Sequence, residues 1–441
     1  MFKFQFSQKF IAESFWSLFG NIVSVFAGLA AVKIITKLVV SDDYGRASLV
    51  LGVIALLNSL LVGPLMAAHM RVYFDYIERE MALWYSRVFN KVLIVAGLTA
   101  LLIYAMIGYV YNFIGNHIFL TLIIPAALMI LAQPYMTAIT SYLEAHRRQK
   151  QLATVNILQK ALHPIFLFLL LMTVISPVKA IVISQGAVIL ILLLFFNAHD
   201  AQRKSDKLPE DANKELAALR KSMMEFGWAL PLSYTIMWFL TTSDRYLIDH
   251  FMNPREVGIY SMNYGFWSMP FLMLNGWLEI LTRPYLYDKA AKNDWKGVKQ
   301  ILLRRTFFAV TISLLGAALL YILAERIASV MLGNSYWFGW QLMIAITVAH
   351  CFMVIGYSVM PAFLAGKKPM MILAATLIAA LSNIIINLFV IPAYGLIGAA
   401  MSTLISYIIW AFVLVTGAYL LMRRLIYQYN DEENKNRNMK K

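Results

Sequence analysis

Three cations sit where an apolar chain accommodates them least. Lys33 and Lys37 lie one helical turn apart near the end of one long apolar segment, and Arg245 lies within another, beside Asp244 and four residues before Asp249. Such groups hold an anion by charge-assisted hydrogen bonds, Arg as a planar fork and Lys as a point charge. Arg46 and Arg283 are further cations near segment ends. The amide and aromatic side chains Asn21, Asn275, Tyr234, Trp238 and Trp267 suit the hydroxyls and ring faces of sugars. A second set, Asp244, Asp249, His69, Glu144, His163 and Glu279, could take up a proton or cation. Ionisable groups within a membrane segment are functional candidates by default, because a stranded charge there is costly. The single Cys351 excludes a disulfide framework and a Cys-based metal site within one chain. No cofactor motif and no His/Glu or paired-Asp enzyme motif stands out.

The elements that must carry these residues are transmembrane helices. The chain is 61% hydrophobic and 14% charged, against about one-quarter charged in soluble domains. Continuous apolar runs rich in Leu, Ile and Ala exclude a β-barrel, whose strands alternate in polarity. Twelve segments are expected, at 10–40, 44–74, 86–113, 118–146, 151–174, 178–198, 223–251, 255–286, 298–331, 337–365, 369–391 and 394–424. The first is too long for the core of a signal peptide and reads as a retained helix. With twelve spans, 31 of the 38 Lys and Arg fall on one face, which the positive-inside rule makes cytoplasmic, both termini included. That rule also accounts for most of the net charge of +15, which in a soluble protein would suggest nucleic acid. Lys33, Lys37, Arg46 and Arg245 are then cations in the outer half.

The expected organisation is an N-terminal lobe over 1–198, a cytoplasmic linker over 199–222, a C-terminal lobe over 223–424 and a disordered tail over 425–441. The linker has an amphipathic surface helix near Glu215–Lys221. The stretch "SDDYGRASL" at 41–49 aligns without a gap to "PREVGIYSM" at 254–262, matching Gly45 to Gly258, Ser48 to Ser261 and Asp43 to Glu256. Both copies read as outer turns, six spans apart, so the lobes would be parallel repeats about an axis along the membrane normal. The competing reading is that short turns share Gly, Asp, Pro and Ser in any case.

Polar stripes concentrate on spans one, two, seven and eight. Ser14, Ser17, Asn21, Ser24 and Gly28 share a helical face; so do Tyr234, Trp238, Thr241, Arg245 and Asp249; so do Tyr264, Ser268, Phe271, Asn275 and Glu279, with Arg283 one turn on. Each has a plain structural alternative. Small residues permit tight helix packing. Glu279 and Arg283 form an i,i+4 ion pair, Asp42, Asp43, Asp244 and Asp249 neutralise nearby cations, and Lys37 and Arg46 snorkel to the interface.

The runs "KLVVSDDYGRASLVLGVIALLNSL", "TTSDRYLIDHFMNPREVGIYSMNYGF" and "NIIINLFVIPAYGLIGAAMSTLISYIIW" resemble polysaccharide exporters of the multidrug/oligosaccharidyl-lipid/polysaccharide (MOP) superfamily, nearest the Wzx-type O-antigen flippases. The resemblance covers nearly the whole chain. It implies an all-α polytopic membrane protein with twelve transmembrane helices in two parallel six-helix lobes in a MATE-like V. It implies alternating access that flips an undecaprenyl-diphosphate-linked oligosaccharide across a bacterial inner membrane, without a cofactor. It implies that Lys33, Lys37 and Arg245, with Arg46 and Arg283, contact the diphosphate, and it admits a polysaccharide polymerase and a chain-length regulator as partners. The lipid II flippase branch usually has fourteen spans, which this chain lacks. A cation-coupled small-molecule antiporter of the same superfamily, and a membrane glycosyltransferase or polymerase, are the alternatives from other functional classes.

Overall fold

A computed structural model describes residues 8–113, 115–146, 148–197, 208–209, 211–226 and 229–439. All regular structure among them is helical. The chain divides into two compact units, Met1–Thr235 and Ile236–Lys441. The first unit contains α1 (Gln8–Leu38), α2 (Ser41–Leu57), a π turn (Asn58–Val62), α3 (Gly63–Glu78), α4 (Ala82–Phe113), α5 (Ile118–Thr121), α6 (Ile123–Ala145), α7 (Gln149–Leu171), α8 (Pro177–Asn197) and α9 (Ala212–Phe226). The division falls inside α10 (Ala229–Phe251). The second unit continues with α11 (Pro254–Ala291), α12 (Trp295–Met331), α13 (Gly333–Tyr336), α14 (Trp340–Val359), α15 (Pro361–Ala365) and α16 (Pro369–Met439). The first unit packs α1 on α7 and α8 on α6 and α7; the second gathers α11, α12 and α16 around α14.

Among the described residues, eight helical stretches are long and apolar enough to cross a membrane. One of them, Pro369–Asp431, is broken where Gly395 takes φ 58° and ψ −135°, so it supplies two spans. A positive φ is cheap only for glycine, which is why the break sits there. The helices outside these eight with lengths suited to spanning are α1, α10 and α11, three of the four spans on which polar residues concentrate. Eight stretches, one broken in two, plus these three helices reproduce the twelve expected segments. The outward faces of α4 and α12 are apolar, with Leu102, Met106, Phe307, Leu315 and Ile322 exposed, as lipid contact requires. The helix of α16 runs on to Met439, where the sequence suggested a disordered tail over 425–441.

The repeated nine-residue stretch forms a pair of helix starts rather than turns. Ser41 opens α2 and Pro254 opens α11. Asp42, Asp43 and Glu256 lie in the first turns, where the helix dipole favours negative charge. Pro254 occupies the first turn, where its missing N–H costs nothing, and Asn253 Oδ1 accepts the Glu256 amide at 3.0 Å. Gly45, Ser48, Gly258 and Ser261 are buried, so in each unit the small residues of the repeat face packed protein.

The linker helix α9 is fastened to the end of α3. Glu215 accepts Arg79 Nη1 at 2.6 Å and Nη2 at 2.7 Å, a fork-on-carboxylate pair, and Tyr76 Oη at 2.8 Å. One turn along α9, Leu219 is buried in a cluster with Met66, Tyr73, Tyr76, Tyr85 and Phe89. The Arg79 guanidinium, aided by Tyr76, holds the Glu215 carboxyl below its ordinary value of 4.5, while burial and Glu215 push the Tyr76 hydroxyl up. A depressed carboxyl contributes stability that is complete above its unfolded pKa and lost as pH falls through the folded one. Glu215→Gln is therefore expected to speed amide hydrogen exchange across 212–226 at neutral pH. In the unmodified protein the same amides should lose protection only below about pH 4.5. Unchanged exchange in the variant would show that Leu219 alone secures the helix.

Candidate functional site

In the second unit α10 presents Asp244 and Arg245 to α11. Asp244 is 1% exposed. Its oxygens accept the Tyr260 hydroxyl at 2.5 Å and the backbone amide of Arg245 at 2.9 Å. The carboxylate is thus held by a phenol and an amide, with no hydrogen bond from the neighbouring guanidinium among the described residues. The Arg245 side chain is half-buried, with Cζ 5.7 Å from the centre of the Tyr264 ring, within cation–π range. Its Nε is buried without a hydrogen-bond partner among the described residues. Tyr264 Oη lies 3.0 Å from Tyr407 Oη of α16. His350 of α14 stands edge-on to both rings, at 5.1 and 5.6 Å. Its Nδ1 is 2.7 Å from the Ile346 carbonyl and so is the N–H donor, which leaves Nε2 on the opposite side of the ring.

The other predicted residues of this unit fall into distinct settings. Trp238 is half-buried beside Phe239 and Tyr246, and Asp249 is half-buried one turn beyond Arg245. Asn275 has a buried Oδ1 with no partner among the described residues. Trp267 departs from its expected place on a sugar-facing surface: it is 0% exposed, donates to Asn263 Oδ1 at 3.2 Å and packs on Trp337. It belongs to the core of the unit, because Asn263 also ties α11 to the Tyr336 carbonyl at 2.7 Å. Glu279 is bound tightly by Arg305 Nη2 at 2.7 Å and loosely by Arg283 at 3.9 Å. The Arg283 side chain is 54% exposed and is not grouped with Arg245. Arg305 is 2% exposed and also reaches Thr282 Oγ1 at 2.9 Å.

In the first unit Lys33 is half-buried and Lys37 exposed, one turn apart on α1. Arg46 pairs with Asp42 at 2.7 Å with both side chains about two-fifths exposed, a pair of small energetic weight. Tyr234, in the part of α10 that belongs to this unit, is exposed. His69 is buried in an aromatic box, hydrogen-bonded through Nδ1 to Tyr85 Oη at 2.9 Å and stacked on Phe89 at 4.2 Å. His163 is half-buried and its Nε2 lacks a partner among the described residues. Glu144 is exposed at the end of α6. The side chain of Asn21 lies outside the described residues. No group of three or more His, Cys, Asp or Glu that could hold a metal ion occurs among the described residues.

Sequence reasoning missed Tyr260, Tyr407, His350 and Arg305. Arg305 lies inside the expected segment 298–331, and its place in the packing of α11, α12 and α14 depends on partners from the other two helices. The signal for Tyr260 was available: it lies one turn before Tyr264, inside the repeat. Removing one partner of a buried ion pair leaves an uncompensated charge, at a cost of about 3–5 kcal/mol when both are buried and less when one is half-exposed. Arg305→Met is therefore expected to lower the thermal unfolding temperature of the purified protein markedly. Arg283→Met, at an exposed pair worth ~0–1 kcal/mol, should leave it nearly unchanged.

Residues 34–340 match the family described as polysaccharide biosynthesis protein. No curated protein matches the chain. Among solved structures, an inward-facing multidrug resistance MATE family transporter of the MOP superfamily is 14% identical, with a TM-score of 0.70 over 94% of this chain and 99% of that one. An outward-facing conformation of such a transporter gives 15% identity and a TM-score of 0.63 over 95% and 96%. A MOP superfamily transporter from Pyrococcus furiosus gives 14% and 0.64 over 95% and 96%; for that protein, the reverse polarity of its binding pocket is taken to suggest a different function. At these identities the likeness shows the fold, an all-helical, multi-pass membrane arrangement of MATE type. With that fold, and with the family match covering more than two-thirds of its length, the chain belongs to the polysaccharide biosynthesis protein family.

Proposed function

We propose that the chain is a Wzx-type flippase that moves an undecaprenyl-diphosphate-linked oligosaccharide from the cytoplasmic to the periplasmic leaflet of a bacterial inner membrane by alternating access. In this reading both termini are cytoplasmic and the lobes are parallel repeats. The observation that carries it is Arg245, a partly buried guanidinium with a buried, unpartnered Nε beside an aspartate already engaged by Tyr260. A donor left open in a low-dielectric setting suits an incoming anion. The membership in a polysaccharide biosynthesis family supports a sugar-bearing anion as the cargo.

A diphosphate crossing hydrocarbon unaided would meet a desolvation cost of several kcal/mol per charge, even after relaxation. Arg245 offers a planar fork to it, Lys33 and Lys37 offer point charges along α1, and Arg46 and Arg283 add weaker, ion-paired cations. Asn275, with its open amide oxygen, and Asn21 suit sugar hydroxyls, and Tyr234 and Trp238 suit ring faces. Asp244, Asp249, His69, Glu144, His163 and Glu279 are the groups available for coupling to a proton or cation. Transport rather than catalysis is the activity proposed, and a polymerase and chain-length regulator would act on the delivered product.

Deletion of the gene is expected to leave complete lipid-linked repeat units facing the cytoplasm. Incomplete units would point instead to a glycosyltransferase. Normal lipid-linked intermediates with lost resistance to small cations would point to an antiporter. Arg245→Ala should lower export by roughly tenfold to a hundredfold, from ~1.5–3 kcal/mol for a hydrogen bond to a charged group, at unchanged membrane abundance. Full export by that variant would remove Arg245 from the site.

A further inference from the structure

A cavity of about 510 Å³ opens at one end of the second unit, away from Arg245 in sequence and in role. It lies where α11 ends, α12 begins, and the α15–α16 connection meets residue Leu425. Its walls are Tyr287, Trp295, Leu364 and Leu425, with Asn293 and Lys367 as the polar lining. The volume falls within the range of small-ligand sites. The cavity sits at the ends of three membrane-crossing stretches, Trp295–Met331, Trp340–Ala365 and Pro369–Asp431, on the side rich in Lys and Arg. Trp and Tyr rings collect at such span ends, in the headgroup layer.

Charge around it is one-sided. Asp294 is paired with Lys289 at 2.7 Å and Asp288 with Lys292 at 2.8 Å, so the nearby acids are already matched. Lys367 makes no ion pair among the described residues, and Lys368, Arg423 and Arg424 adjoin the lining in sequence. The backbone there is unusual as well. Asn293 and Lys367 have φ of 56° and 53°, two of the three non-glycine residues with positive φ among those described. Each is the left-handed residue just past a helix end, Asn293 after α11 and Lys367 after α15, and the next amide bonds back to the Lys289 and Phe363 carbonyls at 2.9 and 2.7 Å. For a lysine, with Gly366 available one residue earlier, the conformation is dearer than for an asparagine.

We propose that this cavity binds an anionic phospholipid of the adjacent leaflet, with the phosphate at Lys367 and the glycerol and first acyl carbons against Trp295, Tyr287 and Leu425. The site is independent of cargo transport. Basic pockets between transmembrane helices take such headgroups, each Lys or Arg adding ~1 kcal/mol, about fivefold in affinity.

The test uses the full chain in detergent and follows tryptophan fluorescence with brominated lipids. Brominated phosphatidylglycerol should quench a component that Trp295→Phe lacks, at about a fivefold lower concentration than brominated phosphatidylcholine. Lys367→Ala should abolish that preference and Lys367→Arg should keep it. Equal quenching by the two lipids, or an unchanged preference in Lys367→Ala, would overturn the proposal. Displacement of brominated phosphatidylglycerol by inorganic phosphate would also overturn it, since the site would then take a free anion rather than a lipid.

Discussion

Hydrocarbon supplies no hydrogen bonds, so a polar group placed in it must find its partner within the chain. Much of the interior follows from that constraint. Across the break in α16, Ser402 donates to the Asn383 carbonyl at 3.0 Å, and one turn along from Asn383, Asn387 donates to its Oδ1 at 3.0 Å. The Trp410 indole reaches Thr376 at 3.2 Å. Where α14 meets that tryptophan it has Gly356, at which a Cβ would come within 2.5 Å of the ring. Buried serines and threonines mostly turn back to the carbonyl three or four residues earlier, as Thr347 and Ser406 do. Eight buried polar side-chain atoms stay open among the described residues, Arg245 Nε and Asn275 Oδ1 among them, and Arg305 Nε too, although its other nitrogens are engaged.

The same constraint explains why the candidate site is stiff on one side and open on the other. Asp244 is fixed by Tyr260, Tyr264 is fixed by Tyr407, and the three helices α10, α11 and α16 are thereby tied at one level of the second unit. Arg245 adjoins this scaffold without being absorbed by it. Glu279 shows the opposite arrangement, with its charge taken up by a buried Arg305. Two acids in the same pair of helices thus have different kinds of partner. One accepts from a phenol and a backbone amide; the other is paired with a guanidinium.

Much of this was legible in the sequence, for physical reasons that also mark where legibility ended. Hydropathy found the spans because the requirement for some twenty apolar residues is local. Helical spacing placed Tyr234, Trp238, Arg245 and Asp249 on one face of α10 for the same reason. Whether a residue on a polar face is open or already partnered depends on another helix, and there sequence alone fails. Trp267 looked suited to sugar and lies in the core; Arg305 is buried against Glu279, a partner on another helix that its own segment does not reveal. The repeat was found at the right positions, but its Gly and Ser suggested turns when they serve as the close-packed starts of α2 and α11. The docking of α9 needed Tyr76, Arg79 and Leu219 brought together from positions 136 to 139 residues distant from Glu215 or within its own helix.

The π turn at Asn58–Val62 has a consequence of its own. A π turn carries about one residue more than an α turn, and each residue advances a helix by about 100°. The faces of α2 and α3 are therefore out of phase by roughly that angle. His69, Tyr73 and Tyr76 form one stripe on α3, and an uninterrupted helix would point that stripe about a quarter-turn away from Tyr85 and Phe89, its present neighbours. The added residue acts as a phase shifter. It lets one continuous helix obey two packing registers, that of the repeated start at Ser41 and that of the aromatic box holding His69.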